Sequence, residues 1–339
     1  MPITDAALIF INWNSAELLL TACRSLLALP PDGMRYQVIV VDNGSRDDSL
    51  ARCEAELRPL LATRPELVTR LEVLALGANR GFAAAANRGL AAATAPYALI
   101  LNTDIEFNNA APRLLTSALA ADERAVLAAP RLLRPDGSDQ AAAVPLPSFA
   151  SELLNRSLVN RRFRRGLHTT DAAGNPAPPV AVPAIVGPCM AVHRGRLAPI
   201  GPLDERFFFF CEETDWCRRI NAAGGHVLWV PAARVVHAQG ASANTRPYRA
   251  RVQFYRGRYQ YFAKHYGVAG AVALGLGLFA RLSLGVVFGG LATLCTLGCA
   301  AKLRDRLAVN AVLWLWHLAL CMPRWGFEPG KARKGREGT

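Results

Sequence analysis

Four short β-rich apolar runs, at 6–12, 36–43, 71–76 and 97–102, are each followed within a few residues by Asn or Asp. Between them lie longer Ala/Leu/Arg/Glu segments, at 15–29, 46–62 and 82–93, whose composition suits helices. Strands alternating with helices imply βαβ units and a largely parallel sheet. In an open sheet of that kind a ligand sits outside the carboxyl ends of the strands. Asn12 and Asn14, Asp42 and Asn43, Asn79, Asn102 and Asp104 collect at that edge and outline a binding cleft.

The rhythm breaks at 134–181, which is rich in Pro and Ala and holds "NRSLVNRRFRRGLH" with five arginines. This reads as a long, mobile excursion: either a solvated surface loop or a site for acceptor or lipid phosphates. Regular structure is expected again over 180–194 and 226–240. Between those stretches, "FFFFCEETDWCRR" sets Phe207 to Phe210 against Glu212, Glu213 and Asp215. Acids in a first helical turn are favoured by the helix dipole without any chemistry. They are equally what a reactive carboxylate at the rim of an apolar pocket would look like.

Charge divides the 339 residues unevenly. From Ala241 onward there are 15 Lys and Arg against three acids, a net +12, which leaves +1 of the chain's +13 for the first 240 residues. Basic residues interleaved with apolar runs at 268–280, 282–301 and 307–322 favour a membrane surface over nucleic acid. The run at 282–301 is long enough for one crossing. Arg281, then Lys302, Arg304 and Arg306, then "KARKGR" place positive charge beyond both ends of the long runs, and a re-entrant hairpin or in-plane helices fit at least as well. Tyr255, Tyr259, Phe262 and Tyr266 stand at helical spacing, as in an interfacial helix or a stripe docked on the body. Eight cysteines without a CxxC are expected to be reduced, buried thiols. Asp5 precedes the first apolar run and no basic segment does, so no signal peptide is expected and the body should be cytoplasmic.

Taken in order, "FINWNS", "VVDNGSRDDS", "GANRGFAAAANRGL", "LILNTDIEF", "VGPCMAVHRG", "GPLDERFFFFCEETDWCRRI" and "VVHAQGAS" resemble the family 2 glycosyltransferases, in particular the bacterial rhamnosyltransferase-like branch that builds cell-surface polysaccharides. The resemblance runs over about residues 5–266. It implies the GT-A fold, an α/β architecture with a mostly parallel sheet that binds a nucleotide-sugar and a divalent cation, Mg or Mn. Here a C-terminal apolar helical region is added. The domain division expected is 1–240 for the transferase and 241–339 for the membrane-associating region.

By that resemblance Ile11, Trp13, Asp42, Asn79, Asn102 and Thr103 line the donor site, with Trp13 and Asp42 against the nucleoside base. Asp104 ends the "LNTD" that stands for the family's DxD-like triplet and should hold the metal with His237. "EETDW" matches the segment carrying the catalytic base, with Glu213 as base and Glu212 and Asp215 beside it. The family usually has Asp at 213. Gln253 and Arg256 match two positions of the QxxRW of processive synthases, but Gly257 replaces the tryptophan, so single addition is expected.

The chemistry agrees. The acceptor hydroxyl loses its proton as it attacks the anomeric carbon, which a carboxylate can accept, while a hard cation offsets charge on the leaving diphosphate. The expected reaction is inverting transfer, from dTDP-rhamnose, to a cell-surface glycan or lipid-linked acceptor at the cytoplasmic face of the plasma membrane. A nucleotidyltransferase would need a Gly-rich, basic N-terminal loop, and an oxidoreductase GxGxxG; "FINWNSAE" supplies neither. A non-catalytic membrane scaffold with a degenerate transferase body would not be expected to keep Asp104, Glu213 and His237 together.

Overall fold

The computed structural model describes residues 4–154, 156–238, 247–297, 299–321 and 325. The expected strands form: β1 (Ala6–Asn12), β2 (Tyr36–Asp42), β3 (Val68–Ala75) and β4 (Tyr97–Asn102). α1 (Ala16–Leu27) and α2 (Phe82–Ala92) connect them, together with a helical stretch from Ser49 to Ala62 that includes a π turn at Cys53–Leu57. β1 pairs in parallel with both β2 and β4, and β2 with β3. β1 and β2 are almost wholly buried, as near-continuous Val, Ile, Leu and Ala runs should be in a sheet covered on both faces. Gly89 of α2 lies so close to β1 that a Cβ there would fall 2.2 Å from Ile9 Cγ2, so helix and sheet meet backbone to side chain.

The sheet continues through β5 (Ile105–Phe107), β6 (Ala125–Leu133), β7 (Cys189–His193) and β8 (His226–His237), in the order β3-β2-β1-β4-β7-β6-β8-β5. α3 (Ala111–Ala121) packs on β6 and β8. The order reverses between β1 and β4, the place where an open α/β sheet leaves a crevice.

The 134–181 stretch is not the loose loop expected. Asp139–Gln140 adds to β6, and α4 (Phe149–Leu153) has a Ser148 capping box and buries Ser151 and Glu152. Only then does the basic helix α5 (Arg156–Arg164) follow. Pro and Ala content marked a break in periodicity, but the packing comes from distant partners that local pattern does not display.

A second apolar cluster lies beyond the sheet. α6 (Glu212–Ala222) and its entry loop meet α7 (Pro247–Cys295) through Phe207, Cys211, Val252, Tyr261 and Phe262. α7 breaks at Gly267 (φ 76°) and pairs with α8 (Ala301–Leu318) as a helical hairpin. Tyr255 and Phe262 are buried in this cluster, which makes the aromatic stripe a docked one. The expected domain boundary at 240 and the "KARKGR" tail lie outside the described residues. Five cysteines are buried as expected, but Cys295 and Cys299 are exposed at the hairpin tip, because no part of the body reaches that far.

Candidate active site

The sheet edge expected to take the donor is built as a hydrogen-bonded lattice. Asp42, 1% exposed, accepts from Asn12 Nδ2 at 2.9 Å and from Ser45 N at 3.0 Å, and also from Ser45 Oγ. Asn12 in turn accepts from Ser15 Oγ, which lies 2.9 Å from Thr103 Oγ1. Three strand ends, β1, β2 and β4, are thereby tied together by side chains. The turn reading of "DNGS" is thus realised, since Asp42 closes its own Asx turn. Trp13 stands free at 37% exposure beside this floor, and Ile11 is half-buried behind it. Asn12 and Ser45 carry as much of the lattice as Asp42 does.

Asn79 is fixed one layer away: its Oδ1 accepts from Asn43 Nδ2 and Gly81 N. Gly81 (φ 90°) touches Phe208, and Phe82 N donates to Phe208 O at 2.9 Å. The aromatic run therefore meets the loop at 79–81 through Phe208. Phe207 turns into the cluster with α7 instead, and the Phe210 ring packs on Phe254. Of the apolar wall expected from Phe207 to Phe210, Phe207 is buried away from the cleft, because the four side chains divide between two neighbours.

Asp104 and His237, 133 positions apart in sequence, meet because β8 pairs antiparallel with β5, setting His237 opposite Ile105. Ala238 N donates to Asp104 O at 3.0 Å. His237 Nε2 faces Asp104 Oδ1 at 3.4 Å, and both side chains are about nine-tenths buried. His237 Nδ1 lies 3.1 Å from Gln140 Oε1. An amide oxygen only accepts, so Nδ1 donates to Gln140 and Nε2 is the ring nitrogen turned toward Asp104. This is the arrangement that orients a metal-binding imidazole. Among the described residues no group of three His, Cys, Asp or Glu gathers to cage an ion. A two-residue hold suits a cation that takes its remaining ligands from diphosphate and water. Gln140 was missed in the sequence because it sits within the excursion.

Asn102 N donates to Pro188 O, and the adjoining Gly187 leaves room for Glu213, whose Cβ and Cγ would lie 3.6–3.7 Å from a Cβ at 187. Glu213 is half-buried at the start of α6 and so approaches the strand end that carries Asn102 and Asp104. Glu212 is more deeply enclosed: it is 5% exposed, and its Oε2 has no hydrogen-bond partner. Burial, then the neighbouring Glu213, push the Glu212 carboxyl well above the usual range. Asp215 is fully buried and saturated, accepting from Arg219 Nε (2.9 Å), Lys264 Nζ (2.7 Å) and His265 Nε2 (2.8 Å). Burial lowers the His265 pKa, which favours the neutral ring that donates to Asp215. An acid so enclosed has its oxygens taken by protein donors.

The loop entering α6 is strained. Phe210 (φ 69°) and Cys211 (φ 75°) are consecutive non-glycine residues in the left-handed region, an arrangement that costs energy and clusters at functional sites. Its backbone is held by α7. Gln253 Nε2 donates to Phe209 O, and Gly257 lies against Phe210 O, where a Cβ would approach to 2.6 Å. That contact explains physically why position 257 holds no tryptophan. Arg258 beside it is 6% exposed, with Nε 3.5 Å from Glu152 Oε1 and its guanidinium over the Phe254 ring. Burial opposes that charge, while Cys211, Glu152 and Glu213 around it raise its pKa above the ordinary arginine value.

The sequence model of glycosyltransferase family 2 matches residues 7–177, half of the chain. The chain belongs to glycosyltransferase family 2. A curated relative, the N-acetylglucosaminyl-diphospho-decaprenol L-rhamnosyltransferase of Mycobacterium tuberculosis, is 27% identical over 270 residues, covering 73% of this chain and 84% of the relative. Among solved structures, the mannosyltransferase PcManGT of Pyrobaculum calidifontis with GDP-Man and Mn2+ superposes with a TM-score of 0.56 at 19% identity, over 94% of this chain and 88% of that one. GalNAc-T7 with UDP, GalNAc and Mn2+ gives 0.52 at 17% identity over 79% of this chain, which spans about half of that structure's length (51%). These likenesses make the architecture GT-A and this family 2 enzyme a glycosyltransferase, similar to a rhamnosyltransferase.

Proposed function

We propose that this glycosyltransferase is inverting and cation-dependent, moving rhamnose from dTDP-rhamnose to a lipid-linked glycan at the cytoplasmic face of the plasma membrane. The relative named for rhamnosyl transfer to a decaprenol-linked N-acetylglucosamine supports the sugar and the acceptor class. Mn2+ in the names of both structural neighbours supports the cation. The observation in this chain that carries the reading is the Asp104–His237 pair, with the imidazole proton fixed on Nδ1 by Gln140.

In this reading Asp104 and His237 hold Mg or Mn, which supplies positive charge to the departing diphosphate. Trp13 offers a face for the nucleoside base, while Asp42, Asn79, Asn102 and Thr103 shape the floor through the lattice they belong to. Glu213 takes the proton from the acceptor hydroxyl as its oxygen bonds to the anomeric carbon and the bond to the diphosphate breaks. Burial pushes the Glu212 carboxyl well above the usual range, which favours the protonated form that can donate a hydrogen bond to the acceptor. Asp215 anchors the helix that carries both.

The test is Asp104→Ala. Calorimetric titration of donor in the presence of Mn, then with chelator, should show metal-dependent affinity in the parent protein and none in the variant, at unchanged thermal stability. Equal affinity and turnover in the two proteins would remove the assignment.

A further inference from the structure

The geometry points to a hairpin, α7 with α8, that docks in the plane of an anionic lipid surface without crossing it. The inference rests on the lipid-linked acceptor proposed above, and it decides between the spanning and in-plane arrangements that the sequence left open.

By length and composition the helix from Tyr248 to Cys295 could cross a bilayer, and its most apolar window is only 17% buried. The anchoring of the hairpin removes that possibility. Arg281 donates to Glu152 O and, at 2.9 Å, to Tyr255 OH, which fixes this turn of α7 to the body. Beyond it, the 14 residues from Leu282 to Cys295 rise about 21 Å. The returning helix has less to offer. Its first two turns carry exposed Lys302, Arg304 and Arg306. Leu313 and Trp316 are already buried, and Tyr259 OH lies 2.6 Å from His317 Nε2. Between the basic tip and that anchorage stand only Leu307 to Val312, six residues rising about 9 Å. A hydrocarbon layer is about 30 Å thick. Beyond Arg281, neither arm reaches across.

What the hairpin does present is apolar. Leu284, Phe288, Leu291 and Leu294 are exposed along α7, and Leu297 at the tip is 90% exposed. Charge identifies the occupant. Lys302, Arg304 and Arg306 stand at the tip with one acid, Asp305, among them. At the other end Leu153 packs beneath Gly277, and the next residue, Leu154, is 71% exposed. The chain then enters α5, with Arg161 and Arg162 exposed and Arg165 just beyond it. Apolar residues flanked by basic ones at both ends match the headgroup and acyl boundary of an anionic leaflet.

Two measurements on the full-length protein test this. In flotation with phosphatidylcholine vesicles containing phosphatidylglycerol, the protein should rise with the vesicles, and 0.5 M salt should weaken binding. The triple variant Lys302→Gln, Arg304→Gln, Arg306→Gln should bind roughly 100-fold more weakly, at about fivefold per charge removed. Binding indifferent to phosphatidylglycerol and salt would overturn the anionic part, and no flotation would overturn docking altogether. For the crossing, Lys302→Cys would be treated with a membrane-impermeant maleimide in intact spheroplasts of an expressing bacterium and again after lysis. Mass spectrometry of the tip peptide should show labelling only after lysis. Labelling in intact cells places the tip outside and overturns the in-plane arrangement. Donor turnover measured in detergent keeps these outcomes separate from the catalytic reading.

Discussion

Asp42 and Glu212 are both carboxylates at the cleft and both almost wholly buried, at 1% and 5% exposure, yet their surroundings follow opposite rules. Asp42 accepts from Asn12 and from the backbone and hydroxyl of Ser45. Glu212 has an oxygen with no partner, follows two strained residues, and has its charge opposed by burial. At the sheet edge the side chains satisfy one another in a closed lattice. The helix start carries a buried group left unsatisfied and a backbone held away from its minimum, and both features concentrate where a protein does chemistry. In the reading proposed above, two regions of one cleft divide the labour: β1, β2 and β4 position the donor, and the start of α6 acts on the acceptor.

The sharpest way to break this comparison is Glu213→Gln. The amide keeps the shape and cannot accept a proton at neutral pH. Turnover should fall about 10²- to 10⁴-fold, with donor affinity and melting temperature unchanged. Steady-state kinetics with both substrates varied would measure it. Normal turnover in this variant would place the base elsewhere and remove the chemical half of the division.

Asp215→Ala should be next in size, but as a loss of stability. It leaves Arg219 without its carboxylate and Lys264 with only Asp204, both side chains about one-fifth exposed, so the loss should be at or below the roughly 3–5 kcal/mol of a broken, fully buried pair. Denaturant unfolding followed by fluorescence would read it, and Asp215→Asn should lose less because it still accepts hydrogen bonds. Any fall in activity should track the folded fraction. If Asp215→Asn unfolds normally and is catalytically dead, α6 carries its chemistry on a different face from the one described.

These contrasts also show what local sequence could reveal. The four βαβ strands and the polar residues ending them were legible, because periodicity and strand-end chemistry are local. The Asp104–His237 pairing followed from family resemblance, but the register that creates it lies in the alignment of β5 with β8. Gln140, Glu152 and Arg258 were not legible as site neighbours. Each sits in a stretch whose composition suggested a surface loop or a basic face, and each is buried only because partners about 100 residues away come to it. The saturation of Asp215 was hidden likewise: Lys264 and His265 lie some 50 positions downstream. A carboxylate's neighbours in sequence do not tell whether its oxygens are taken.

The smallest effect is the most diagnostic of the unsatisfied acid. Glu212 has its folded pKa raised above the ordinary 4.5, through burial first and Glu213 second. Between that ordinary value and the raised one the folded protein binds more protons than the unfolded chain, so stability falls as pH rises through the window, and the loss persists above it. Glu212→Gln removes the titration while keeping the shape. At pH 4 the variant and parent should melt nearly together; at pH 8 the variant should melt higher, by a few degrees at most. The same variant should raise the KM for acceptor more than it lowers kcat, because the amide still donates a hydrogen bond but in altered geometry. Parallel melting curves across the whole pH range would mean that Glu212 finds a partner in solution, and the opposition between the two sides of the cleft would then fail at its most specific point.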